Sequence, residues 1–201
     1  QHLSTLLAMV EAGKSVAREN FSLIIGKGLG RSEDSQEVIL EAISKINAAM
    51  VLDADAIHAL AKKPEIIKGK KVILTPHSRE FSILTGEKIF DLELEEKIEI
   101  VKEQAQKLGA VILLKGQPDI ISNGEEVILN EEGSPYMSVG GTGDMLAGIC
   151  GALLAREESN PFIAAQAGAY ISGRAGQKTA SELKEGLTAI DIINNIPKVL
   201  H

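Results

Sequence analysis

Apolar positions along the chain recur with two different periods. Four short runs are apolar almost throughout: Phe21 to Gly26 (FSLIIG), Ala48 to Asp53 (AAMVLD), Lys71 to Thr75 (KVILT) and Ala110 to Lys115 (AVILLK). Their length and continuity predict strands buried on both faces. Between the first two, Val38, Ile39, Ala42, Ile43 and Ile46 recur at helical spacing behind Ser32, an N-cap residue followed by acids. Between the last two, LEEKIEIVKEQAQKLG is helical in period and stops at Gly109. Strand and helix in alternation predict an α/β fold, a mostly parallel sheet with helices on both faces and right-handed crossovers. The rhythm breaks at residues 119–130, where Asn123-Gly124 between two β-prone runs predicts a β-hairpin. From Thr142 onward the pattern is helical. Leu146, Ile149, Cys150, Leu153 and Leu154 form one stripe, and a long helix rich in small residues follows Pro161. Its Ala164, Ala165, Ala167, Gly168 and Ala169 permit close packing against a helix of this chain or of another. No internal repeat, low-complexity segment or linker divides residues 1–201, which read as one domain.

Composition narrows the set of ligands. Lysine and arginine number 21 against 28 acids, a net charge of −7 that argues against a nucleic-acid footprint, which needs clustered positive charge. A polyanionic ligand must be held locally. The single cysteine, Cys150, lies in an apolar run, so it reads as a packing residue, and a reducing, cytoplasmic setting is expected. Apolar stretches fall short of a membrane span and nothing resembles a secretory leader, so no membrane association is expected.

Each predicted strand is followed by distinctive chemistry: GKGLG, DADAI, TPHSRE and KGQPD. Strand carboxyl ends share one edge of a parallel sheet, and open α/β sheets bind ligands outside that edge. GKGLG lacks the P-loop spacing and misses the dinucleotide fingerprint by one residue, although Asp53 stands about where a ribose-binding acid would. A tight strand-to-helix turn explains it equally well. Asp53 and Asp55 are also ordinary helix caps. The four histidines do not cluster and one cysteine makes no zinc site, so His77 reads as a hydrogen-bonding or stacking residue and no protein metal-ligand set is expected. Lys115 ends a buried strand. Its ammonium must reach water or meet an anion, with phosphate a sensible partner.

The segment SVGGTGDMLAG, Ser138 to Gly148, sets three glycines ahead of an apolar helix. Unpaired amides and the positive end of the helix dipole near Thr142 make an anion site that Gly140, Gly141 and Gly143 let a phosphate approach. Asp144 would repel that phosphate. First-turn placement favours its charged form by about 0.3–1 kcal/mol, and a carboxylate there can orient and deprotonate a hydroxyl that attacks phosphorus. Dipole complementation alone would explain Asp144 but not the glycines.

In this order GKGLG, VLDADAI, ILTPHSREFSILTG, LLKGQPDIISNG and SVGGTGDMLAGICGALLA resemble the ribokinase-like superfamily, and within it the ADP/ATP-dependent NAD(P)H-hydrate dehydratases. The resemblance runs from Leu23 to the end, including LTAIDIINNIP. It implies a ribokinase-like fold, ADP or ATP with Mg2+ as cofactors, and hydrated NADH or NADPH as substrate, whose ring hydroxyl is phosphorylated and lost as phosphate. It implies Asp144 as base, and Gly140, Gly141, Thr142 and Gly143 as an anion hole. Lys115, Gly116, Gln117, Pro118 and Asp119, with Gly143, would face ADP or ATP. Gly28, Gly30, Asp55, His77 and Asp144 would face the substrate. Homo-oligomers are common in the family. This chain departs from it in Lys27, where proline is usual, and in Ser78-Arg79, where proline and glycine are usual. It also lacks an N-terminal portion whose glycine-rich strand and loop add to the substrate pocket, so either the site is incomplete or the chain is a fragment. Two other readings use the same residues: a hydroxyethylthiazole or hydroxymethylpyrimidine phosphate kinase of the superfamily, and a catalytically silent nucleotide-binding module.

Overall fold

The computed structural model describes residues 2–17, 21–156 and 160–200. After a first helix α1 (His2–Ala17), strand β1 (Ser22–Ile25), helix α2 (Glu33–Lys45), β2 (Ala49–Leu52), α3 (Ala54–Leu60), β3 (Val72–Leu74), α4 (Ser78–Thr85), α5 (Leu94–Leu108) and β4 (Val111–Leu114) follow in alternation. Then come β5 (Asp119–Ser122), β6 (Val127–Asn130), α6 (Thr142–Leu154), α7 (Pro161–Leu183) and α8 (Ala189–Asn195). The described strands form one sheet in the order β1-β2-β3-β4-β5-β6. β1 to β4 are parallel, and β5 and β6 are the antiparallel excursion.

Because the strands step in one direction across the sheet, crossovers of one hand put their helices on one face. The core divides accordingly. Met50, Leu52, Leu74 and Ile112 face α2 to α5, where they meet Ile43, Ile57, Phe81 and Val101. Their neighbours Val51, Ile73, Val111 and Leu113 point the other way, onto Leu146, Cys150 and Ala165 of α6 and α7. This two-residue alternation within wholly apolar runs is the reason the strands show no polar face.

Local signals end the elements where the sequence places them. Ser32 accepts a bond from the amide of Ser35 at 3.2 Å, and Gly109 closes α5 in the left-handed conformation at φ 64°. The predicted stripe is buried at Ile39, Ala42, Ile43 and Ile46; Val38 at its edge is 38% exposed, and Leu40 is buried in its stead. The far end of α2 is closed by a residue of another segment. Lys70 Nζ donates to the carbonyls of Ile43, Ser44 and Ile46 at 2.8–2.9 Å, the placement the helix dipole favours; burial lowers the Lys70 pKa. In the hairpin, Asn123 Oδ1 accepts from the amides of Glu125 and Glu126, while Gly124 (φ 93°) presses on the backbone of Gln106 in α5. The partner of the small-residue helix is in the same chain: Ala164, Ala165 and Ala169 of α7 pack with Cys150 of α6. No described helix is long and apolar enough to cross a membrane.

Candidate active site

The loops after β1 to β4 converge on the N-terminus of α6. Gly141 holds the N-cap at φ 93°, a left-handed conformation suited to glycine. It supplies no side-chain acceptor, so the first-turn amides of α6 face outward without a side-chain cap. The Thr142 hydroxyl donates back to Val139 O at 2.9 Å and so fixes the loop rather than covering those amides. Gly140 is exposed and borders neither of the cavities described below.

Lys115 meets an anion, and the anion belongs to the protein. Its Nζ lies 2.9 Å from Asp53 Oδ1 and 3.8 Å from Glu80 Oε2, and the side chains of both acids are over nine-tenths buried. Asp53 therefore neither caps α3 through its side chain nor stands free for a ribose. A methyl group placed on Gly143 would lie 3.7 Å from Lys115 Nζ and 3.8 Å from Asp53 Oδ2, so the ion pair sits directly under the first turn of α6.

Two cavities open on either side of this pair. One, of about 470 Å3, is bordered by Lys115, Gly116, Gln117, Asp119, Thr142 and Gly143. Its far wall comes from the loop holding Glu132 to Ser138 and from Ala169, Ser172 and Gly173 of α7, none of which the sequence patterns assign to a ligand. The other, of about 340 Å3, lies between Ile24, Lys27 and Leu29 on one side and Asp53, Asp144 and Ala147 on the other. Lys115 borders the first cavity and Asp53 the second. The pair thus forms the wall between them, roofed by α6.

Asp144 faces the second cavity, 49% exposed, with Oδ2 3.0 Å from Lys27 Nζ. The remaining expected residues serve the scaffold around these cavities. Asp119 lines the first cavity but spends both oxygens on its own loop, accepting from the Gly116 amide and from Asn130 Nδ2 at 2.9 Å each. Burial raises its pKa. Pro118, joined to Gln117 by a cis bond, does not line the cavity. Asp55 accepts from the Gly30 amide at 3.0 Å and from Arg31 Nε at 2.8 Å; the Arg31 hydrogen bond holds its carboxyl below the usual range. Asp55, Gly28 and Gly30 shape the loop after β1 and do not border the second cavity. His77 caps α4, its Nδ1 accepting from the amides of Arg79 and Glu80, with Nε2 3.4 Å from Glu80 Oε1. Its expected hydrogen-bonding role is thus met within its own loop.

The sequence matches the family described as NAD(P)H-hydrate dehydratase over residues 4–198. The chain belongs to that family. Among other members, the bifunctional NAD(P)H-hydrate repair enzyme of Hyperthermus butylicus is 43% identical over 185 residues, which cover 90% of this chain and 34% of that protein. The ADP/ATP-dependent NAD(P)H-hydrate dehydratase of Bacillus subtilis, crystallised with ATP and Mg2+, superposes with a TM-score of 0.75 at 31% identity, over 89% of this chain and 63% of that one. A ribokinase-like superfamily protein of Enterococcus faecalis matches with a TM-score of 0.73 at 27% identity, over 94% of this chain and 66% of that one. The ribokinase-like fold of the dehydratase family is therefore the fold of this chain, which spans about a third of the bifunctional relative and under two thirds of the Bacillus subtilis enzyme.

Proposed function

We propose that residues 1–201 act as one ribokinase-like unit that transfers phosphoryl from ADP or ATP to the ring hydroxyl of hydrated NADH or NADPH, as a cytoplasmic repair enzyme. The observation that carries this reading is the shared wall: a nucleotide-sized cavity and a second, acid-bearing cavity meet at the Lys115–Asp53 pair beneath the amides of α6. The nucleotide occupies the cavity bordered by Lys115, Gly116, Gln117 and Asp119, with its terminal phosphate at Gly143. The substrate hydroxyl enters beside Asp144. Asp144 takes the hydroxyl proton as the oxygen attacks phosphorus, and the α6 amides hold the charge that develops on the phosphoryl oxygens. The phosphorylated oxygen then leaves the ring as phosphate, and loss of a neighbouring ring proton restores the double bond. Gly28, Gly30, Asp55 and His77 act on the substrate through the loops they fix.

Among the described residues no three His, Cys, Asp or Glu side chains gather to hold a metal. Magnesium needs no such cage, because it binds through one or two carboxylates together with substrate phosphates and water. The donor set fits that mode: Asp53 gives Oδ1 to Lys115 and turns Oδ2 toward Gly143. A magnesium ion bound there would neutralise phosphate charge.

The test is recovery of reduced-nicotinamide absorbance when the protein is mixed with hydrated NADH and ADP or ATP. Asp144→Asn is expected to lower turnover about 100-fold to 10,000-fold with nucleotide binding nearly intact. A stable phosphate ester in place of recovered absorbance would identify a small-molecule kinase, and nucleotide binding without turnover a silent module.

A further inference from the structure

The loop after β1 is held more firmly than a solvent loop requires. Asp55 accepts two bonds from it, at Gly30 and Arg31, and Gly26 is pressed against the Asp53 carbonyl so closely that no side chain fits there. Between these anchors the loop aims one charged side chain at the reaction centre. Lys27 Nζ stands 3.0 Å from Asp144 Oδ2 at the edge of the second cavity, and the Lys27 side chain is 55% exposed. A half-exposed ion pair of this kind contributes little to stability, so stability does not account for its placement. The other walls of the cavity include Ile24, Leu29 and Ala147, and among the described residues Lys27 is its one cationic side chain.

Resting on the phosphoryl-transfer reading, the geometry points to Lys27 as a second catalytic cation: it neutralises Asp144 in the empty site and moves onto the oxygens of the migrating phosphoryl group during transfer. In the reaction the hydroxyl oxygen forms a bond to the terminal phosphorus of the nucleoside polyphosphate. The bond from that phosphorus to the bridging oxygen breaks, its electron pair leaves with the shortened nucleotide, and the hydroxyl proton passes to Asp144. A hydroxyl donating to Asp144 lies roughly 2.6–3.2 Å from the carboxylate, and the phosphorus stands about 3–3.5 Å beyond it before attack. An ammonium 3.0 Å from the same carboxylate reaches the phosphoryl oxygens by a small swing of its flexible stem. As Asp144 gains its proton it loses its hold on Lys27 at the same stage at which the phosphoryl oxygens carry most charge. Lys115 approaches the phosphate from the nucleotide cavity and Lys27 from the substrate cavity.

The experiment measures affinity for ADP and for AMP, each with magnesium, in the presence and absence of aluminium fluoride, which beside ADP mimics the phosphoryl group that ATP transfers and beside AMP the one that ADP transfers. In the wild type the fluoride tightens binding of at least one of the two. Lys27→Met is expected to lose at least about tenfold of that tightening while its affinity for the nucleotide alone and its melting temperature stay unchanged, and Lys27→Arg to regain most of it. No tightening of either nucleotide in the wild type, or full tightening in Lys27→Met, overturns the proposal. The substrate reading is judged separately. If hydrated NADH is not repaired yet Lys27→Met loses the tightening, Lys27 keeps its role and the acceptor alcohol is a different one. If hydrated NADH is repaired with equal kcat by wild type and Lys27→Met, the repair reading stands and Lys27 has no catalytic part.

Discussion

Lys115 and Asp53 hold each other in place, and either alone would be a burden to the fold. Asp53 is 5% exposed, and its Oδ1 has the Lys115 ammonium at 2.9 Å. Removing one partner of a buried pair leaves an uncompensated charge, at about 3–5 kcal/mol, whereas removing both is far milder. Lys115→Met should therefore destabilise the protein by about 3 kcal/mol, and adding Asp53→Asn should restore part of the loss, a coupling of about 1–3 kcal/mol in a urea-denaturation double-mutant cycle. Strict additivity would mean that the pair is not a unit. Asp55 makes a different prediction. Its carboxyl is held below the ordinary value chiefly by the Arg31 hydrogen bond. A carboxylate with a depressed folded pKa stabilises at neutral pH, and that contribution disappears as pH falls below about 4 through the folded value. The stability difference between wild type and Asp55→Asn should thus shrink between pH 7 and pH 3, and a difference that grows on acidification would contradict the assignment.

At the scale of elements, much of the architecture is written in local pattern. Apolar runs give β1 to β4, although β1 at the edge of the sheet leaves Ile24 50% exposed and is not buried on both faces as expected; Asn123-Gly124 gives the hairpin turn, and the glycines before Thr142 mark the mouth of α6. What local pattern does not carry is which distant segments share a wall. The Asp53–Lys115 bond joins residues 62 positions apart, and each alone reads as a cap or a strand-end lysine. The far wall of the first cavity is hidden for the same reason, since Gly173 looks like one more small residue until α7 is laid against the Glu132 loop. Helix α1 lies upstream of every motif and packs Val10 and Leu7 in one cluster with Ala42 of α2 and Ile46, the C-cap of α2. The α6–α7 contact shows what the small residues permit. A methyl group added to Gly168 would fall 2.5 Å from Cys150 Sγ and 3.5 Å from the Cys150 backbone. Burial raises that thiol's pKa to about 12, so it packs as a neutral group. Gly168→Ala is expected to destabilise by about 1–3 kcal/mol through overpacking, read as a lower urea midpoint with an unchanged slope. Pairing it with Cys150→Ala should relieve much of the cost, because the sulfur is the atom struck first.

For the whole molecule, the proposed function requires an acidic chain to bind an acidic ligand. With a net charge of −7, long-range attraction cannot bring in a nucleotide, so affinity must arise within the few ångströms around Lys115 and the amides of α6. The nucleotide would touch the loop after β4, the Glu132–Ser138 loop, the first turn of α6 and the middle of α7, segments from both halves of the chain. A ligand bound only to the folded state stabilises it by about 2.7 kcal/mol at a hundred times its dissociation constant. For a domain of this size each kcal/mol raises Tm by about 2–4 °C, so saturating ADP or ATP with magnesium should raise the melting temperature by about 5–10 °C. Gly143→Ala isolates the source of that shift. Its methyl group would make only ordinary contacts, 3.7 Å from Lys115 Nζ and 3.8 Å from Asp53 Oδ2, so the fold should be retained. It would nevertheless stand where the terminal phosphate approaches the amides. The variant should melt within a few degrees of the wild type without nucleotide and lose most of the shift with it; a wild type indifferent to nucleotide, or a Gly143→Ala protein that responds in full, would remove the mouth of α6 as the phosphate site.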